Sequence, residues 1–265
     1  MAKNIGQAVR EVCLSFPEAQ ETPSRGSPDF RVANKTFATY VVNHHGDGRI
    51  ALWLRAPPGA QQLYTESEPE CFFVPPYVGP RGWLGVLLDR GLDWDRIALH
   101  VREAYTEVAP KRLVEQIRET PTIEPPTETI DPEIFDPMTS ERGQELLAGL
   151  RERCLALPET SEGTQFGHPV WRAGKKSFCT AHCTRGRAHY TKGRLSISVW
   201  VGIDAQGMLT FDERYVIPAY TGHNGWILLD VNDTLDWDEV GELVLASYRH
   251  FALKRMLKAL EQPNT

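Results

Sequence analysis

The sequence contains no run of about eighteen apolar residues, so it offers no segment able to span a bilayer as a helix. Its first residues, MAKNIGQAVREVC, hold one lysine but no long apolar stretch before a small-residue cleavage site, which excludes a secretory signal. Cysteine is scarce and odd in number: Cys13, Cys71, Cys154, Cys179 and Cys183. An odd count in a chain of 265 residues is no disulfide framework, and a reducing cytoplasm is the expected location. Signatures of catalysis are missing too. There is no glycine-rich loop ending in Gly-Lys-Ser/Thr, no HExxH and no GxSxG. The glycines of GPRGWLG precede an expected strand rather than a helix, unlike a dinucleotide fingerprint. No catalytic residue, metal site or cofactor is therefore nominated, and a non-enzyme is expected.

Charge is missing from two stretches in opposite senses. Residues 121–140 carry no base, but hold Glu124, Glu128, Asp131, Glu133 and Asp136. Residues 163–203 carry no acid, but hold Arg172, Lys175, Lys176, Arg185, Arg187, Lys192 and Arg194. The formal net charge of -6 arises almost wholly in the acidic stretch, so each flanking half is close to neutral. Net charge then neither favours nor excludes a polyanionic partner.

What is present is a repeat. VREVCLSFPE at 9–18 returns as LRERCLALPE at 150–159, an offset of 141 that also brings Lys35-Thr36-Phe37 onto Lys176-Ser177-Phe178. About four extra residues in a second-copy hairpin shift the offset to 145, and AQQLYT at 60–65 meets AQGMLT at 205–210. A two-residue loss then gives 143: Tyr77, Gly79, Gly82 and Trp83 meet Tyr220, Gly222, Gly225 and Trp226, and LDWD recurs at 92–95 and 235–238. Each copy is large enough for its own core. Two domains are expected, 1–118 and 141–265, joined by an acidic proline-rich linker at 119–140. Ile123, Ile130, Phe135 and Met138 are candidates to pin that linker against a domain. Because the domain is already doubled, a monomer is plausible.

Each copy opens on a helix. Ile5, Ala8, Val9, Val12, Cys13 and Phe16 fall at helical spacing, as do Leu146, Leu147, Leu150, Cys154 and Leu157, so Cys13 and Cys154 read as core residues. Three strands are expected near 28–33, 36–43 and 49–55, then a short helix near 58–65 and a strand at 83–88. A final helix starts at Asp93 as N-cap, with Leu92 and Ile97 as a hydrophobic staple. In the second copy Asp236 and Glu239 have capping-box spacing, and Leu253 replaces Pro110, so that helix is expected to run on towards Leu260. Lys111-Arg112 and Lys254-Arg255 are expected near helix C-termini, where the dipole favours them. The fold class expected is α+β: two copies of a mostly antiparallel sheet packed against helices.

Among candidate sites, the basic stretch stands first. RAGKK and CTRGRAHYTKGR both look like hairpins, which would project Arg172, Lys175, Lys176, Arg185, Arg187, Lys192 and Arg194 as a phosphate-binding surface for DNA. The alternatives are a solvated face, or a site for an acidic protein or small anion. Tyr77 and Trp83, with Tyr220 and Trp226, mark the loops where a small ligand or partner protein would bind if one does, although core packing also accounts for the tryptophans. Cys179, His182, Cys183 and His189 carry zinc-ligand chemistry. On a strand, however, Cys179 and Cys183 share one face while His182 points to the other, which favours core cysteines. His44 and His45 lie beside a turn and read as surface residues.

CLSFPE and CLALPE, the Gly26-Pro28 and Gly167-Pro169 segments, NKTFA and KKSFC, VPPYVGPRGW and IPAYTGHNGW, and Ser247-Tyr248 resemble, in that order, the MmcQ/YjbR-like family. The resemblance covers about 9–117 and 150–260. It implies compact α/β domains with an antiparallel sheet and a DNA-binding role through two projecting wings. Those wings would correspond to Ala33-Asn34 and His45–Gly48 in the first copy, and to Gly174-Lys175 and 185–194 in the second. It implies no catalytic residues.

Overall fold

The computed structural model describes residues 3–24, 27–128, 130, 132–184, 194–231 and 235–262. They divide into two compact units, one running to Phe135 and the other starting at Asp136. The first unit contains α1 (Ile5–Leu14), β1 (Gln20–Ser24), β2 (Ser27–Val32), β3 (Lys35–Val42), β4 (Ile50–Arg55), α2 (Ala60–Ser67), β5 (Phe72–Phe73), β6 (Trp83–Leu87), α3 (Trp94–Thr106), α4 (Lys111–Val114) and α5 (Pro132–Phe135). The second contains α6 (Glu141–Leu155), β7 (Thr160–Gln165), β8 (His168–Ala173), β9 (Lys176–Thr184), β10 (Arg194–Trp200), α7 (Ile203–Leu209), β11 (Tyr215–Val216), β12 (Trp226–Asp230), α8 (Trp237–Phe251) and α9 (Lys254–Leu260).

Each unit builds one sheet in the same order, β1-β2-β3-β4-β6-β5 and β7-β8-β9-β10-β12-β11. Every pairing between these strands is antiparallel, from β1 on β2 (Gln20↔Arg31) to β11 on β12 (Tyr215↔Leu229). The architecture is α+β, duplicated. Two strands per unit are additional to those expected. β1 and β7, QETPS and TSEGTQ, are polar edge strands whose pairing is carried by backbone bonds, so they show no apolar alternation. Pro23 is tolerated there because an edge strand can dispense with an N–H. β5 and β11 have two residues each, too few for a periodicity.

The opening helices form as their sequences dictate. Asn4 caps α1, its side chain accepting from the Gln7 amide while Gln7 returns a bond to the Asn4 amide. Cys13 and Cys154 are fully buried, and burial pushes the Cys13 thiol up from its usual range. Asp93 caps α3 by accepting from Asp95 N at 3.1 Å. Ile123 of the proline-rich segment is buried in the first core, with Ile130 and Phe135 packed against it, while Met138 is buried in the second.

A single lock recurs in both units. Tyr105 donates its hydroxyl to Pro17 O at 2.6 Å, and Tyr248 donates to Pro158 O at 2.8 Å. Each phenol packs edge-on against a strand phenylalanine, Phe37 at 5.5 Å and Phe178 at 5.5 Å. The residue after each proline, Glu18 or Glu159, takes positive φ (53° and 52°) and pairs with Arg112 at 2.9 Å or Arg255 at 2.7 Å.

Three expectations from the sequence are corrected here. The last helix of the second copy does not run on: α8 ends at Phe251, Leu253 is extended (φ -73°, ψ 155°), and α9 starts at Lys254. Leu253 thus reproduces without proline the break that Pro110 makes, and the turn brings Arg255 onto Glu159. Lys111-Arg112 and Lys254-Arg255 accordingly open short helices rather than closing long ones, and an ion pair rather than the dipole accommodates each arginine. Finally, Glu239 completes no capping box. Its carboxylate accepts from Arg214 Nη1 at 2.7 Å and from the Tyr215 hydroxyl at 2.6 Å, leaving Asp236 alone to cap α8.

The Arg214 guanidinium holds the Glu239 carboxyl below its usual range. A depressed carboxyl contributes stability that is complete above its unfolded value, about pH 4.3, and is lost as pH falls through the folded value. Glu239→Gln is expected to lower the melting temperature at pH 7 and to flatten its fall below about pH 4.5, as thermal melts across that range would show.

Candidate functional site

The basic residues of the second unit start from the β8–β9 hairpin. Gly174 takes φ 59° at its turn, and Gly174, Lys175 and Lys176 are exposed. Arg172 lies on β8 and reaches across β7, its Nη2 at 3.5 Å from Thr164 O, over a surface kept open by Gly163. Among the described residues no carboxylate lies within 4.0 Å of Arg172, Lys175 or Lys176. Arg194 differs. The stretch around it is acid-free in sequence, but Asp230 on the neighbouring strand β12 takes its Nη1 at 3.1 Å. Arg185, Arg187 and Lys192 lie outside the described residues, as does His189.

The Gly-Trp loops are built alike in both units, by a device the sequence reading missed. Gln61 of α2 donates Nε2 to Gly79 O at 2.9 Å and to Trp83 O at 2.5 Å. Gln206 of α7 donates to Gly222 O at 2.9 Å and Trp226 O at 2.7 Å. One amide in each unit, buried at Gln206 and half-buried at Gln61, thus fixes both ends of the loop. The glycines explain themselves locally: Gly82 and Gly225 sit at φ 77° and 83°, and a Cβ on Gly225 would meet the Gly202 backbone at 2.8 Å. Gln206→Leu would leave two carbonyls without their donor. It is expected to cost ~1–3 kcal/mol in a urea melt, and Gln61→Leu a similar amount.

Trp83 is buried beside Val41, Ala51, Trp53 and Leu87, a cluster on the outer side of the first sheet. Trp226 is half-buried and stacks on Phe251 at 5.6 Å, next to Trp200, which lies flat on His250 at 3.5 Å. Tyr77 and Tyr220, by contrast, are 68% and 72% exposed. Other apolar side chains stand exposed at matching places: Leu63 and Met208, Val74 and Ile217.

Around Tyr77 the first unit gathers rings. The Tyr77 hydroxyl and His45 Nε2 lie 3.2 Å apart, the two histidine rings lie 4.1 Å apart at a 55° tilt, and His44 meets Trp53 edge-on at 5.0 Å. His45 is exposed and His44 half-buried. Arg49 lays its guanidinium 4.2 Å over Phe73.

Zinc chemistry gains nothing. Cys179 is fully buried and Cys183 packs against the same core, while His182 lies on the other face with its ring 4.5 Å from His168. Among the described residues no three His, Cys, Asp or Glu side chains gather as ligands. The cavity between α2, α3 and the sheet, lined by Leu54, Tyr64, Leu84, His100 and Glu103, measures about 10 Å³, room for roughly one water. It lies apart from the Gly-Trp loops. No helix among the described residues is long and apolar enough to cross a membrane.

No curated protein matches the chain. Two crystal structures are similar to it. One, of a Pseudomonas syringae protein, is 15% identical with a TM-score of 0.33 over 41% of this chain and 97% of its own. The other, of Deinococcus radiodurans protein DR2400, is 18% identical with a TM-score of 0.34 over 45% of this chain and 90% of its own. The YjbR family model matches residues 14–107 and again 155–250. With both halves matched, the chain belongs to the YjbR family and carries its domain in tandem.

Proposed function

We propose that this chain is a non-catalytic DNA-binding protein of a reducing cytoplasm, acting as a monomer through the basic loops of its second domain. The reading is supported by the β8–β9 hairpin: Lys175 and Lys176 are exposed at its turn and Arg172 lies half-buried on β8, with no acid within pairing distance of any of them among the described residues. Arg185, Arg187, Lys192 and Arg194 would extend that surface, with Arg194 sharing its charge with Asp230. Neutralising phosphates releases counterions, so binding of this kind weakens steeply with salt. Titration of a labelled duplex at two salt concentrations, with wild type and an Arg172→Ala, Lys175→Ala, Lys176→Ala variant, tests it. Equal affinities and equal salt dependence would remove the case.

A second reading has its own observation. Leu63, Val74 and Tyr77 recur as Met208, Ile217 and Tyr220, exposed in both units, the first of each set on the glutamine-bearing helix and the other two on the loop beside it. Exposed apolar residues that do nothing for a core fit a protein or small-ligand surface. Binding through them would be nearly indifferent to salt.

A further inference from the structure

We propose that the Trp53–His44–His45–Tyr77 surface of the first unit accepts an unpaired base of single-stranded nucleic acid. The inference takes its class of occupant from the nucleic-acid reading above, but places the contact on different residues and in the other domain.

Backbone strain is concentrated here. Asn43, His45 and Tyr77 all adopt positive φ (47°, 53° and 64°), a conformation that costs a side-chain-bearing residue free energy. Tyr220, in the matching loop of the second unit, does not. The strained turn at Tyr77 does not serve to bury its ring, which is 68% exposed beside the exposed His45. The result is a solvent-facing Tyr77 ring on a loop held by Gln61, with the His45 ring set across it at 77°.

Beneath it, Trp53 is buried, yet its indole Nε1 has no hydrogen-bond acceptor among the described residues. A buried donor left without a partner costs roughly 1–3 kcal/mol, and an acceptor supplied by a ligand would remove that cost. A nucleobase combines what the surface asks for: a π-face for Tyr77, whose ring His45 flanks at 77°, and ring or carbonyl acceptors on its edge. Cations stand close by for the backbone phosphate. Arg49 is joined to the cluster through the Asn43 N–H donating to Arg49 O at 2.6 Å, and Arg81 is exposed on the Tyr77 loop. The nearby acid Asp47 has Oδ1 engaged by the Arg49 amide at 3.1 Å. A paired, stacked duplex offers no free base face, so the site selects single strands.

The test is anisotropy titration of a short labelled oligothymidylate, an abasic strand of equal length and a blunt duplex. The proteins are wild type, Tyr77→Ala, Trp53→Phe and, as control, Tyr220→Ala. Stacking on one base predicts that Tyr77→Ala weakens oligothymidylate binding roughly tenfold and leaves the duplex unchanged. Wild type should bind the abasic strand as weakly as Tyr77→Ala binds the thymidylate, Trp53→Phe should also lose affinity, and Tyr220→Ala should lose none. Equal binding of abasic and base-bearing strands, or an unaffected Tyr77→Ala, overturns this proposal alone if duplex binding still depends on Arg172, Lys175 and Lys176. Failure to bind any of the three overturns both.

Discussion

Tyr248→Ala is expected to destabilise the second unit by ~3–5 kcal/mol, the range for truncating a fully buried aromatic residue. Total stabilities of domains lie at about 5–15 kcal/mol, so such a loss leaves little margin. The expectation rests on how many elements meet at this side chain. Tyr248 is fully buried on α8, packs edge-on against Phe178 of β9 and donates to Pro158 O in the turn after α6. Its neighbour Ser247 ties α8 to the sheet as well, donating to Phe178 O at 2.5 Å and accepting from Trp200 N at 3.0 Å. Removing the ring opens a cavity that the helix cannot close without breaking those bonds. Tyr248→Phe isolates the hydroxyl and is expected to cost about 1 kcal/mol, the net worth of one hydrogen bond. Because Tyr105 makes the same contacts in the first unit, Tyr105→Ala should behave alike. Urea melts followed by far-UV circular dichroism would check all three; a Tyr248→Ala midpoint equal to wild type would mean that the lock is not where this stability resides.

The duplication was legible because the residues that build the lock and the loops recur in one order, and most of the sheet followed from apolar alternation and turn residues. What was not legible had physical reasons. The edge strands β1 and β7 pair through their backbones and bury little apolar surface, which leaves no apolar side-chain pattern. The break before α9 comes from a tertiary contact, Arg255 on Glu159, and local propensity at Leu253 gives no sign of it. Glu239 had the spacing of a cap, but Arg214 twenty-five residues earlier outbid the backbone amide. Gln61 and Gln206 were in plain view in AQQLYT and AQGMLT; a polar residue repeated between otherwise apolar matches was the available signal that it serves the same buried bonds twice. At the candidate sites, the acid-free stretch contains Lys175 and Lys176, which are exposed, and Arg172, which is half-buried, but it could not reveal Asp230, which reaches Arg194 only through strand pairing. The ring cluster around Tyr77 was equally hidden, since His45, Trp53 and Tyr77 belong to three segments brought together by the sheet and its loops.

Replacing Arg172, Lys175 and Lys176 together by alanine is expected to remove three phosphate contacts from DNA binding. Each contact adds about 0.9 to the slope of log affinity against log salt, so the variant's slope should be shallower by ~2.7. Between 50 and 200 mM salt, wild-type affinity should therefore fall about 40-fold further than that of the variant. The three side chains suit this measurement because folding makes little use of them. Lys175 and Lys176 are exposed at the hairpin turn, and Arg172 makes only a long contact to Thr164 O. Arg249→Ala, Lys254→Ala and Lys258→Ala together, which remove three exposed cations from α8 and α9, are the matched control for a change in net charge and should leave the slope unchanged. The slope decides more than the affinity does. A general gain of negative charge would weaken binding for both variants, whereas loss of particular phosphate contacts lowers the slope only for the hairpin variant. If the two variants lose affinity equally, the hairpin is no more than a solvated surface, and the salt-indifferent apolar loops become the better account of what this protein binds.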